Sequence, residues 1–255
     1  MKMRCFARER LEENGYVLGA FVASGSPMNC ECLAINGMDF IIIDAEHAQT
    51  DTETLVEMSR ASELYEMSAF VRVYDPDDYT MMSRLLDVGI HGIMVPMVES
   101  REQADKIIHY IKYPPLGMRG ANGGRGPRWG KIENYQQQAN ENLYTIMQCE
   151  SKKGVANIEE ICQTPGLDCV FIGTADLSQD YGKPATDPEV QAAIQTVLDA
   201  CKKYGIVPGI VTGTAEAAAA KVKQGVQLVT CMNDQVFFRQ ESEKRLQAVK
   251  ELIAK

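Results

Sequence analysis

DFIIIDAEHA, residues 39–48, begins as an apolar run, Phe40 to Ile43, and stops abruptly in Asp44, Glu46 and His47. A short continuous apolar run bounded by polar residues reads as a strand buried on both faces. Three ionisable groups at its C-terminal end are costly beside a core unless they are solvated, paired or used. In a barrel of parallel strands, that end is where the chemistry is done. Working outward, seven more runs look alike: Tyr16–Val22, Ala69–Val73, Gly92–Met97, Leu143–Cys149, Cys169–Gly173, Val207–Val211 and Gln227–Cys231.

Amphipathic segments fill the gaps. Asp51 or Thr52 caps a helix holding Leu55, Met58 and Ser59, and Asp77 opens one holding Met81, Leu85 and Leu86. Ser100 caps a third, with Gln103 at the capping-box position, and Pro188 and Glu189 start the longest. Gly89, Gly205 and Gly225 stand just past helix ends, where a left-handed residue is wanted. Strand and helix alternating eight times predict an α/β fold of the closed (β/α)8, TIM-barrel kind. A doubly wound open sheet is the alternative, but no G-x-G-x-x-G follows the first strand. Residues 1–255 read as one domain. Two stretches stand outside the repeat. Tyr113–Tyr135 is a long Gly-, Pro- and Arg-rich loop carrying the only Trp; it follows a helix and so starts on the face away from the active end. Val236–Lys255 is an amphipathic helix, showing Phe237, Leu246, Val249 and Ile253, that closes the barrel or packs on another subunit.

Composition narrows the function classes. A length of 255 residues, 45% hydrophobic and 24% charged, suits one large α/β domain or two small ones. A net charge of -9 argues against nucleic acid and against docking on anionic membrane. No apolar run approaches the roughly 20 residues of a membrane helix, and the N-terminal stretch has no apolar core of a secretory signal. The eight cysteines are scattered, and only Cys30 and Cys32 are close, as C-x-C. That pattern reads as reduced thiols in a cytoplasmic protein rather than a zinc site.

Several other strands also end in polar groups: Arg72 on the third, Gln148 and Glu150 on the fifth, Gly173-Thr174-Ala175-Asp176 on the sixth. A barrel would gather these at one mouth. Glu150 and Asp176 are hard oxygen donors suited to Mg²⁺ or Mn²⁺; helix capping, or ion pairs to Lys152 and Lys153, is the plainer alternative. Arg72 can set a permanently charged fork against a developing oxyanion, and His47 can exchange a proton near neutral pH. Asp44 or Asp87 could orient the imidazole. The turn opened by Gly173 could offer backbone N–H groups to a carboxylate. Lys112, Lys131, Lys152, Lys183 and Lys202 all fall outside the predicted strands. A Schiff-base lysine is therefore not expected, and a metal is the better electron sink.

The segment IIIDAEHAQTD resembles the D-x-E-H-x-x-x-D block of the HpcH/HpaI aldolase family. RLLDVGIHGIMVPMVES, YPPLGMRG, MQCES and VFIGTADLS are similar to successive family blocks in the family's order, roughly over residues 15–212. The resemblance implies a barrel of the phosphoenolpyruvate/pyruvate type. It implies a class II carbon–carbon lyase that cleaves a 4-hydroxy-2-oxo acid reversibly to pyruvate and an aldehyde, through a pyruvate enolate on a divalent metal (Mg²⁺, Mn²⁺ or Co²⁺). It implies a homohexamer built as a trimer of dimers with an exchanged C-terminal helix. Carried over by position, Glu150 and Asp176 hold the metal, Arg72 polarises the carbonyl and His47 is the acid/base. Asp87 partners the histidine, while Gln148 and the backbone at Ala175 contact the metal-bound water or the carboxylate. The sequence departs from the family pattern in three places. Thr174 stands where G-P-A-D has proline, ANGGRGPRWG adds Arg125 and Arg128, and VTCMND lacks the usual Gly-Ser/Val-Asp ending.

The expected substrates are sugar-derived 2-keto-3-deoxy acids or heptanedioate-like diacids, in sugar-acid or aromatic catabolism. Three other functions compete. An oxaloacetate-type decarboxylase would need the enolate but no hydroxyl base. A CoA-thioester lyase would need a longer chain and a basic patch for its nucleotide. A catalytically silent binding barrel is disfavoured by retention of the candidate site residues.

Overall fold

The computed structural model describes residues 1–254. Eight parallel strands close into a barrel in sequence order: β1 (Val17–Val22), β2 (Phe40–Asp44), β3 (Ser68–Arg72), β4 (Gly92–Val95), β5 (Tyr144–Cys149), β6 (Cys169–Ile172), β7 (Val207–Val211) and β8 (Leu228–Asn233). The open-sheet alternative is excluded by the pairing of β1 with β8. β2 and β3 are buried along their whole length, as continuous apolar runs require.

Side chains alternate between two cores. Inside the barrel lie Phe40, Phe70, Tyr144, Phe171 and Leu228; between strands and helices lie Ile41, Ile43, Val71 and Val170. Phe70 stacks on Tyr144 with ring centres 5.3 Å apart. Glycine makes room for these rings: a Cβ at Gly19 would stand 2.7 Å from the Phe40 ring, and one at Gly209 2.6 Å from Phe171. No helix among the described residues is long and apolar enough to cross a membrane.

Local details correct the sequence reading in places. Asp78, not Asp77, caps the helix Tyr79–Asp87, its carboxylate accepting from the Met81 N–H at 2.8 Å. Asp77 is held in the preceding turn, where its N–H donates to Asp75. Gln103 reaches back to the Glu99 N–H rather than to that of Ser100. β4 stops at Val95, before Pro96, which has no N–H to continue the ladder, and Met97 beyond it adopts a left-handed φ of 52°. β8 runs on to Asn233 past a bulge against β1. The helix Asp234–Ile253 leaves the barrel wall with Phe238 at 76% and Ile253 at 79% exposure, so within one chain it closes nothing.

The loop after the helix Arg101–Ile111 stays on the floor, the end of the barrel where strands begin. Arg125 and Arg128 both pair with Glu63 at 2.9 Å, and Arg125 also donates to the Val88 carbonyl. The helix Phe6–Asn14 adds Arg8 on Asp168 and Arg10 on Asp39 at the same end.

Candidate active site at the barrel mouth

The parallel register of β2 and β3 sets Asp44 beside Arg72. Both side chains are buried, and the guanidinium grips the carboxylate with two bonds, Nε to Oδ1 at 3.0 Å and Nη2 to Oδ2 at 2.7 Å. Its Nη1 lies 3.0 Å from Glu46. Five N–H groups belong to a guanidinium, so two remain for a ligand. The Phe21 ring supports the cation from within the barrel, 5.1 Å away. Asp44 also accepts from the backbone N–H groups of Glu46 and His47, which folds the chain over just past β2. His47 consequently stands on the rim, its side chain 65% exposed and Nε2 3.7 Å from Glu46.

Across the mouth, Glu150 follows β5 and is buried. The Met97 N–H donates to its Oε1 at 2.9 Å, and the Gln148 amide donates to its Oε2 at 2.6 Å. Burial lifts the Glu150 carboxyl to about 7, with the Met97 N–H opposing and the charges of Asp176 and Glu46 adding to the rise. Burial also raises Glu46, against the pull of Arg72. A Cβ at Gly173 would overlap Glu150 Oε2, so the turn after β6 has to be glycine for the carboxylate to lie there. Thr174, Ala175 and Asp176 open the helix Thr174–Tyr181, with Asp176 exposed in its first turn. The buried Oε1 of Gln148 has no partner.

This donor set fits a hard divalent cation. Asp44, Glu46, Glu150 and Asp176 crowd one mouth against the single cation Arg72, and Glu150 is lifted by burial and by like charge. The plainer alternative for Glu150 and Asp176 does not hold. Lys153 pairs with Glu99, Lys152 lies over the Tyr181 ring, and Ser151 rather than Glu150 caps the following helix. Among the described residues no three His, Cys, Asp or Glu side chains cluster as a metal cage. A cation held there would take Glu150 and Asp176 as its carboxylates and leave its other positions to water and substrate oxygens.

One sequence-based candidate does not join the others. Asp87 ends the helix Tyr79–Asp87 on the floor, where it accepts from Arg119 at 3.1 Å and Asn122 at 2.6 Å. Helices run back antiparallel to the strands, so the last turn of this one lies at the end opposite His47. Of the two carboxylates considered for orienting the imidazole, only Asp44 is near it in the same chain, and it holds the His47 backbone rather than the ring. Lys112, the buried lysine, is likewise on the floor. Burial lowers it to about 8, and its ammonium donates to the Asn140 and Leu143 carbonyls. Two members of the mouth went unassigned in the sequence reading. Glu46 stood in the opening stretch between two residues that were assigned. The Met97 N–H had no signal, because a left-handed methionine is not written in residue type.

The whole barrel aligns with known proteins. A family model described as HpcH/HpaI aldolase/citrate lyase matches residues 18–239. This chain belongs to that family. It is 40% identical over 210 residues to a hydroxypyruvate/pyruvate aldolase of Chromohalobacter salexigens, covering 81% of this chain and 82% of that one. It is 35% identical over 236 residues to a 5-keto-4-deoxy-D-glucarate aldolase of Klebsiella pneumoniae, covering 91% and 92%. A crystal structure of an HpcH/HpaI aldolase/citrate lyase family protein from Burkholderia cenocepacia superposes with a TM-score of 0.89 at 32% identity, covering 95% of this chain and 98% of that one. The family membership places the chain among the carbon–carbon lyases.

Proposed function

We propose that this chain is a metal-dependent aldolase that cleaves a 4-hydroxy-2-oxo acid reversibly to pyruvate and an aldehyde. The observation that carries the reading is the unbalanced mouth, where buried Glu150 and exposed Asp176 face a clamped Arg72 across the strand ends. A divalent cation on Glu150 and Asp176 would supply Lewis acidity toward the 2-oxo group. Arg72, held by Asp44 and Glu46, directs its two free N–H groups at the oxygen on which negative charge grows. Gln148 and the backbone at Gly173, Thr174 and Ala175 orient the carboxylate end. His47 accepts the proton of the 4-hydroxyl as the C3–C4 bond breaks, and Glu46 stabilises the imidazolium that results.

Asp87 can partner His47 only from a second copy whose floor meets the first copy's mouth. The exposed Phe238, Leu246, Leu252 and Ile253 also call for a covering subunit. We read the assembly as a homohexamer, a trimer of dimers, as the family resemblance implies. Eight free thiols favour a reducing, cytoplasmic setting.

The test is pyruvate release from a racemic 4-hydroxy-2-oxo acid, with and without EDTA, then with Mg²⁺, Mn²⁺ or Co²⁺ restored. Release should vanish with EDTA and return with metal; indifference to EDTA would refute the reading. The high exposure of His47 favours one second reading, oxaloacetate decarboxylation, which needs no hydroxyl base. In His47→Ala, aldol cleavage should fall sharply while any decarboxylation persists.

A further inference from the structure

We infer that Met97 is a positioning residue for the metal site and acts through its main chain. Its left-handed backbone aims the N–H at Glu150 and so fixes how that carboxylate faces the mouth. The inference rests on the aldolase reading above, in which Glu150 and Asp176 would hold a divalent cation.

The conformation calls for a reason. Met97 has a φ of 52°, a region that residues carrying a Cβ rarely adopt. Its side chain does not offset the cost: it is 44% exposed and joins neither hydrophobic cluster. Among the described residues, the other non-glycine residues with positive φ are Glu66, Arg128, Trp129 and Asn134. Each of those lies between a helix and the start of the next strand, on the floor. Met97 alone follows a strand, at the mouth. Strain of this kind persists only where the surroundings over-determine it, and it gathers at working sites.

The surroundings here do over-determine it. The Val98 N–H donates to the Gln148 carbonyl on β5 at 3.1 Å. The Glu99 N–H donates to Gln103 Oε1 at 2.9 Å, and its carbonyl accepts from Asn157 Nδ2 at 2.8 Å. On the other side, the Pro96 ring fixes its own φ. With both flanks held, Met97 can return to negative φ only if the Pro96–Met97 peptide plane turns. That turn would take the N–H off Glu150 Oε1, 2.9 Å away.

Two donors therefore hold Glu150, one on each oxygen: the Met97 N–H on Oε1 and the Gln148 amide on Oε2. They come from opposite sides of the β4–β5 pair and stop the carboxylate from rotating. Each oxygen keeps a further lone pair for a cation. Without the Met97 N–H, the carboxylate could swing on Gln148 alone. Donors that orient a metal ligand in this way are worth about 10–100-fold in affinity.

The test is the Mn²⁺ dissociation constant of the full chain, measured by calorimetric titration at one pH, with thermal midpoints recorded in parallel. Met97→Gly and Met97→Asn discard the thioether but accept a left-handed backbone, whereas the β-branched Met97→Ile does not. The glycine and asparagine variants should bind Mn²⁺ as the parent does, and Met97→Ile should bind it about 10–100-fold more weakly. Loss of affinity in both Met97→Gly and Met97→Asn would assign the role to the side chain and overturn the inference, even if Met97→Ile fails to fold. Unchanged affinity in a folded Met97→Ile would overturn it as well. Binding needs no turnover, so the two levels separate. A parent chain that binds Mn²⁺ with the variant order reversed refutes only the inference, whereas a parent chain that binds none refutes the metal-dependent aldolase and the inference together.

Discussion

The two ends of this barrel carry similar residues in opposite balance. On the floor, Asp39 meets Arg10, Asp168 meets Arg8, Asp87 meets Arg119, and Glu63 meets both Arg125 and Arg128. At the mouth, Asp44, Glu46, Glu150 and Asp176 share the single Arg72, and Glu150 takes only neutral donors. Floor charges are spent on one another and hold loops in place. Mouth charges are left in deficit of cations, and that deficit is what a divalent cation would fill. A buried arginine–carboxylate pair therefore does not mark a site; the missing counter-charge does.

The largest expected effect falls on the mouth. Arg72→Lys keeps a positive charge but loses the fork, so kcat for pyruvate release should drop about 10²–10³-fold. Thermal unfolding should shift far less than for a floor substitution such as Arg125→Met. Equal damage to folding and turnover in both variants would erase the contrast between the two ends.

The next effect belongs to the floor and is read in pH. His91 is buried there, its Nδ1 accepting from the Ala69 N–H, with Glu63, Arg125 and Arg128 around it. Burial lowers its pKa to about 4 from 6.5. A lowered folded value means that the unfolded chain takes the proton first as pH falls. The associated stability is complete above 6.5 and is lost on descent toward 4, amounting to about 3 kcal/mol over that window. Glu150, raised by burial, acts in the opposite sense without metal, so the comparison should be with His91→Gln. Denaturant midpoints of the two proteins should converge between pH 6.5 and 4; parallel curves would remove His91 as the acid-sensitive group.

The smallest effect links the two ends. Asp87→Asn should lower kcat about tenfold or more if its carboxylate reaches His47 of another copy. Chains carrying Asp87→Asn, mixed and reassembled with chains carrying His47→Ala, should recover part of the activity, because some mouths then pair an intact His47 with an intact Asp87. No recovery, with Asp87→Asn merely less stable, would confine Asp87 to the floor.

Much of the molecule was legible before any fold was known. Eight apolar runs, four of them with polar ends, announced eight strands, and β2 and β7 fall on the expected residues. Burial and a period of two are written in residue type, so they survive without coordinates. The polar ends Arg72, Glu150 and Asp176 could also be named, because a charge beside a buried run needs a reason. Other features depend on contacts between residues distant in sequence. The grip of Arg72 on Asp44 follows from one strand register, and a slip by one residue would turn those side chains to opposite faces. The Met97 N–H reaches Glu150 through a backbone conformation that its residue type disfavours. Asp87 shows the limit most plainly. Its sequence neighbourhood spoke for the mouth, but a helix that runs back along the barrel carries its last residue to the floor. Local pattern determines which elements form, whereas register and chain direction, properties of the closed barrel alone, decide which charges meet.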